Sequence, residues 1–274
     1  MNPNPPNNAL LAALPAPERA RIEQRCERVA LLQGQALGTP GAEINRVYFP
    51  TDSLIALMVD GGKHDALAVG LIGNEGMLGA SLVLGGRSSP LRAMVQSSGG
   101  AWSMETEALR RILADTPLLE RELRLYLHAV VAQFAQIAVC AAFHVVVNRL
   151  AYWLLTTHDR VQGDRFYLTH DLLSRLLGVR RSGVTAAAGI LQRQHLIAYT
   201  RGRVLILDRR GLEQQACVCY RAAREAFTPL AQLAVPRDEG YGEPAGGRLL
   251  RLVRGIEPRR RVVREPARRA GVRH

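Results

Sequence analysis

The apolar positions of the 274-residue chain change period along its length. After a Pro- and Asn-rich opening, 18–27 reads as a short helix. From 29 to 103 the apolar residues come in short runs cut by Gly, Pro and Asp, as in VALLQGQALGTPG, INRVYFPTDSLIALMVDGG, ALAVGLIGNEGMLG and LRAMVQSSGGAWSM. Short β-prone runs with a turn signal about every ten residues predict an antiparallel barrel or jelly roll.

The punctuation then stops. A short helix is expected over 105–115 and a long one over 118–143, with Pro117 suited to its first turn. Leu119, Leu123, Tyr126, Val130, Phe134, Ile137 and Ala141 recur at steps of three or four, a narrow stripe of the kind that pairs two helices. Such a helix runs about 40 Å and has more apolar surface than a small β domain covers, so the stripe is expected to form a homodimer. The segment 129–147 is also nearly long and apolar enough to span a membrane, but Gln133, Gln136 and His144 interrupt it, and no membrane association is expected. A further amphipathic helix is expected over 148–157, with Leu150, Trp153 and Leu154 inward.

The densest information lies in 168–207. Thr169 can cap a helix carrying Leu172, Leu173, Leu176 and Leu177. Gly178 can take the left-handed conformation that ends it. A second helix over 181–194 turns Val184, Ala188 and Leu191 inward. Two short helices joined by a Gly turn form a helix-turn-helix, whose second helix enters the major groove of DNA. The exposed start of that helix carries Arg180, Arg181, Ser182 and Thr185, side chains able to read base edges, with Arg181 suited to guanine O6 and N7. The following IAYTRGRVLILD has the composition of a basic hairpin, which makes the unit a winged helix. Thr169, His170, Arg201 and Arg203 are the expected phosphate contacts.

Charge adds less than it promises. The formal net charge is +12, which favours a polyanionic partner, but half of it lies in the Pro-, Gly- and Arg-rich stretch 228–274. That stretch reads as a disordered basic tail able to add nonspecific DNA affinity. Nearly all the positive charge is Arg, with Lys63 the only Lys. The opening residues lack a signal-peptide pattern, so a reducing, cytoplasmic setting is expected for Cys26, Cys140, Cys217 and Cys219. Cys217 and Cys219 offer two metal ligands, but no second pair or His cluster accompanies them. They read as reduced thiols on a helix, and no metal site is expected. In the β region His64 and Asp65 are the only close ligand pair.

A β-roll, a long helix and a winged helix-turn-helix, in that order over about 22–220, resemble the Crp/Fnr family of transcription regulators. The matching stretches are RLAYWLL, LTHDLLSRLLGVRRSGVTAAAGILQRQHLI and GNEGMLGASLVLGG. The resemblance implies an α+β chain with a cyclic-nucleotide-binding-like N-terminal jelly roll as sensor, acting as a homodimer on roughly palindromic double-stranded DNA. RNA polymerase is a further partner if the protein activates. Gly73, Glu75, Gly79, Arg87, Ser88 and Ser89 are the effector-pocket candidates that it suggests. However, Ala80 stands where cyclic-nucleotide binders carry a Glu, and the Arg87-Ser88 pair fits only in another register, so no cyclic nucleotide is expected. Cys26 alone cannot hold the family's iron-sulfur cluster.

The expected layout is an N-terminal extension (1–21), a β-roll with flanking helices (22–116), the dimerisation helix (117–143), a winged helix-turn-helix (144–225) and the tail (226–274). No enzymatic site is recognised. The rival reading is a ligand-binding or metal-dependent roll whose helix-turn-helix serves protein contacts.

Overall fold

The structure, a computed structural model, describes residues 7–61, 66–161 and 163–233, the last six as backbone only. His64, Asp65 and nearly all of the expected basic tail lie outside the described residues.

Two antiparallel sheets form the roll. One has the order β1-β7-β3, from β1 (Glu27–Leu31), β7 (Gly99–Glu105) and β3 (Arg46–Pro50). The other has the order β2-β6-β4-β5, from β2 (Ala36–Gly38), β6 (Arg92–Ser97), β4 (Leu54–Asp60) and β5 (Ala66–Ile72). Alternation sets which residues face in: Val47 and Phe49 of β3 are fully buried and their neighbours Arg46 and Tyr48 are not. Strand β4 breaks the alternation, because LIALM is buried at all five positions. A continuous apolar run is the mark of a strand covered on both faces. Ile55 and Leu57 point into the roll with Ala93 and Val95. Leu54, Ala56 and Met58 join a second core with Trp153, Leu173 and Leu176 of the helical C-terminal half.

The N-terminal stretch is part of the folded body rather than an extension. Asn8 is fully buried; its side-chain oxygen caps α1 (Ala9–Ala12), and its amide donates to the carbonyls of Pro50 and Gly76. Leu10, Leu11 and Leu14 are buried behind it. Helix α2 spans Ala16–Glu23, earlier than the expected 18–27, because Pro at its first turn starts it and Glu27 already pairs with Ser103 in β1.

Helix α3 (Thr106–Asp115) leads into α4 (Pro117–Phe143), with Pro117 in its first turn as expected. The stripe expected to pair two chains is largely spent inside one. Leu119, Leu123 and Tyr126 are buried in the chain's own roll core, and Ile137 in the core shared with the C-terminal half. Val130 and Phe134 are half-buried, and only Ala141 is exposed. The roll and α9 (Val218–Leu233) cover that face, which a periodicity alone cannot reveal. Among the described residues α4 is long and apolar enough to cross a membrane by length and composition only. It nonetheless buries Glu122 and Gln133 against the rest of the chain. Helix α9 continues through 228–233, the segment expected to begin the tail.

Between α4 and α9 lie α5 (Val146–His158), β8 (Arg165–Tyr167), α6 (His170–Leu177), α7 (Arg181–Arg193), β9 (Ile197–Thr200), β10 (Arg203–Ile206) and α8 (Arg209–Gln215). The wing is a three-stranded sheet of order β8-β10-β9, one strand more than its sequence suggested. Arg160, just after α5, is tied to Glu75 of the roll at 2.8 Å, with side-chain exposures of only 10% and 19%.

Candidate nucleic-acid interface

Helix α6 begins where Thr169 places its hydroxyl oxygen 3.1 Å from the Leu172 amide, satisfying an amide that has no partner within the helix. Leu173, Leu176 and Leu177 fix its inner face. Gly178 closes it with φ +62°, and the Val179 amide donates back to Ser174. Glycine, with no Cβ, adopts that left-handed backbone at little cost. The Arg149 guanidinium donates to the Leu177 carbonyl, placing a cation at the negative end of α6.

Helix α7 buries Val184, Ala187, Ala188 and Leu191 and leaves Arg180, Arg181, Ser182 and Thr185 exposed. These four expected base-reading residues therefore share one accessible surface. No side chain caps α7; the Gly183 amide already donates to the Arg180 carbonyl, which leaves the Arg181 and Ser182 amides for an anion such as a phosphate. Arg181 is already oriented: its Nη2 donates to Asp171 Oδ1 at 2.7 Å, and Asp171 also holds Arg175 at 3.2 Å. The hydrogen bond from Arg181, joined by the charge of Arg175, holds the Asp171 carboxyl below its usual range, against a smaller opposing effect of burial. Asp171 escaped the sequence reading because its role depends on two helices meeting at the Gly178 turn.

The expected phosphate contacts divide. Thr169 is engaged in capping. His170 stacks on Tyr199 with ring centroids 4.8 Å apart and planes 3° from parallel, its Nδ1 3.4 Å from Thr185 Oγ1. Arg201 and Arg203 lie exposed at the tip of the wing. Arg201 and Gly202 both have positive φ, +49° and +82°, as a tight two-residue hairpin requires. A Cβ on Gly202 would meet the Tyr167 ring at 2.9 Å.

The six effector-pocket candidates do not converge. A cavity of about 420 Å³ lies between the roll and α4, lined by Ile44, Tyr48, Leu57, Tyr126, Val130 and Phe134 among others, and of the six only Gly79 and Ser89 reach it. Glu75 lines a separate cavity with Arg160, and Gly73 donates its amide to Glu75. Arg87 and Ser88 are exposed. Arg46, which does line the first cavity, is engaged by Glu27 and by Glu105.

One expectation about the cysteines is corrected. Cys217 and Cys219 do have companions, since Cys140 Sγ lies 3.4 Å from Cys217 Sγ and His144 Nδ1 lies 3.3 Å from Cys219 Sγ. These partners are more than seventy residues away, so spacing around Cys217 could not show them. The one local signal was the four-residue step from Cys140, in the last turn of α4, to His144, the residue that follows the helix.

Residues 148–215 match the Crp-like helix-turn-helix domain. A search of curated protein sequences finds no significant match. Among solved structures, FixK2 from Bradyrhizobium japonicum superposes with a TM-score of 0.61 at 12% identity, covering 70% of this chain and 98% of that one. The c-di-GMP-responsive global regulator CLP of Xanthomonas campestris gives 0.56 at 17% identity, covering 70% and 99%. A CRP/FNR-family transcriptional regulator of Thermus thermophilus gives 0.51 at 22% identity, covering 69% and 98%. The chain thus carries a Crp-like helix-turn-helix domain, set behind a roll and a long helix whose fold it shares with these structures.

Proposed function

We propose that this protein is a sequence-specific, homodimeric regulator whose α7 reads base edges in the major groove. The observation that carries this reading is the exposed group of Arg180, Arg181, Ser182 and Thr185 at the uncapped start of α7, with Arg181 oriented by Asp171. The wing residues Arg201 and Arg203 supply phosphate contacts that set position rather than sequence. Arg181→Ala is expected to weaken binding to the cognate site by about 1–3 kcal/mol and binding to random DNA much less. Equal losses on both sequences in a fluorescence-anisotropy titration would refute base reading by Arg181. The cognate site itself comes from selecting bound sequences out of a random pool.

The homodimer rests on the face of α4 that its own chain leaves open. His128, Val131, Ala135, Ala138 and Ala142 are all exposed and follow one another at steps of three and four. That spacing is a coiled-coil seam, and its small residues allow two α4 helices to approach closely. Val131 is 65% exposed and Phe143 79%, which a second copy would cover. Two symmetric copies present two α7 helices to a roughly palindromic operator. Sedimentation at micromolar concentration is expected to give a dimer and Ala135→Arg a monomer; a monomeric parent chain would overturn this arrangement. The protein works where chromosomal DNA is, in the cytoplasm, with RNA polymerase as a further partner where it activates.

The cavity between the roll and α4 is the natural seat for an effector. Its lining is largely apolar, and its Arg46 is engaged by carboxylates. This favours a small apolar ligand over a cyclic nucleotide, whose phosphate needs an available cation. Repeating the DNA selection with cyclic nucleotides present tests this, and a changed operator affinity would refute it.

A further inference from the structure

Cys140 lies in the last turn of α4 and His144 is the extended residue that follows it, its backbone amide still donating to the Cys140 carbonyl. Helix α9 starts beside them, with Cys217 immediately before it and Cys219 in its first turn. The three sulfurs and one imidazole nitrogen all lie within 4.8 Å of one another. The closest pairs are Cys140 Sγ to Cys217 Sγ at 3.4 Å and Cys219 Sγ to His144 Nδ1 at 3.3 Å. Bond lengths of about 2.3 Å to sulfur and 2.0 Å to nitrogen give a zinc tetrahedron edges of about 3.8 Å between sulfurs and 3.5 Å from sulfur to nitrogen. The two closest pairs need to part by a few tenths of an ångström, and the farthest donors, within 4.8 Å, to close by about one, to receive an ion. We propose that Cys140, His144, Cys217 and Cys219 form a Cys3His site for a single tetrahedral Zn2+, placed where the long helix meets the start of the last one.

The surroundings suit such an ion. Cys140, Cys217 and Cys219 are 3%, 8% and 0% exposed, and the imidazole closes the set. Four protein ligands leave no open position for substrate, as in structural rather than catalytic zinc sites. Three thiolates around Zn2+ carry one net negative charge, and the positive end of α9, a 16-residue helix, faces it. Gln136, one turn before Cys140, donates its amide to Cys219 Sγ at 3.1 Å, the outer-shell bond that orients a metal ligand. Ligands this close together suit one ion; an iron-sulfur cluster would hold its cysteines farther apart. A disulfide between Cys140 and Cys217 would leave Cys219 and His144 in contact to no purpose.

The site also has a mechanical position. Helix α5 begins at Val146, two residues beyond His144, and opens the Crp-like domain. The ion fastens α9 to the end of α4 at the joint where the long helix passes into the DNA-reading unit. Binding here is independent of the DNA-reading proposal, so Arg181→Ala is expected to retain its full metal content whatever that substitution does to DNA affinity.

The test is metal analysis of the full chain purified under reducing conditions, with elemental quantification and a cobalt titration of the metal-free protein. About one zinc per chain is expected, together with the intense visible and thiolate charge-transfer bands of tetrahedral Co2+ at one equivalent. Cys219→Ala and His144→Ala are each expected to weaken zinc binding at least tenfold in a chelator competition, while Cys26→Ala, which lies outside the cluster, leaves it unchanged. The cobalt titration needs no variant, so misfolding of a substituted chain cannot mask the result. A folded parent chain that binds neither Zn2+ nor Co2+ stoichiometrically would overturn the site. So would undiminished zinc when all four ligands are replaced, an iron-sulfur chromophore, or a Cys140–Cys217 disulfide found by mass spectrometry of the reduced preparation.

Discussion

The winged helix and the roll are built by opposite strategies. In the former, the cap at Thr169, the turn at Gly178, the polar start of α7 and the hairpin at Arg201 and Gly202 fall within forty consecutive residues. Each is settled by neighbours a few positions away. In the roll, Tyr48 and Leu57 meet Tyr126 and Phe134 of α4 around one cavity, while Glu75 waits for Arg160 from beyond α5. A helix-turn-helix surface can be written locally, whereas a cavity between roll and long helix is assembled from parts of the chain that meet only on folding.

The comparison breaks most sharply at Arg160. Arg160→Ala leaves Glu75 unpaired at the junction of the roll and the helical half, and is expected to cost about 3–5 kcal/mol of stability in urea unfolding. A loss below about 1 kcal/mol would mean that the halves are not coupled through this pair. A smaller effect is expected inside the winged helix, where Thr169→Ala removes the cap of α6 at a cost of about 1 kcal/mol. The same denaturation midpoints measure it, and an unchanged midpoint would show that the cap is dispensable. Replacing Arg201 and Arg203 with Ala should lower the salt dependence of DNA binding by about one unit of log–log slope each and leave sequence preference intact. Altered preference would make the wing a reader. The least effect concerns pH. The Asp171 carboxyl is held below its usual value by Arg181, so its contribution is complete above the ordinary carboxylate pKa and is lost only as pH falls through the lowered folded one. DNA affinity should therefore not vary on account of this pair between about pH 6 and 8. A dependence there that Asp171→Asn abolishes would contradict the geometry.

These differences explain which parts were legible in the sequence. Short apolar runs and Gly turns announced the roll, and capping chemistry announced α6 and α7, because each is a short-range rule. The stripe of α4 was visible too, but the identity of its cover was not. Leu119, Leu123 and Tyr126 look the same whether a second chain or the first one's roll covers them, and here it is the roll. The open face, with His128, Val131, Ala135, Ala138 and Ala142, is too rich in small residues to register as a hydrophobic stripe. Cys140 and Cys217 are 77 positions apart, and only the packing of α9 along α4 turns four isolated residues into a cluster.

Strand β4 limits how freely the protein can be taken apart. Its odd and even residues belong to different cores, so a cut between roll and helical half strips the cover from Leu54, Ala56 and Met58, with Ala68 and Leu71 beside them. A roll transplanted onto another reader would carry that bare apolar wall and stick to itself. Chimeras that exchange the roll will stay soluble only if the new partner repacks this wall. The seam that any such exchange has to respect is the sheet surface, not the end of the long helix.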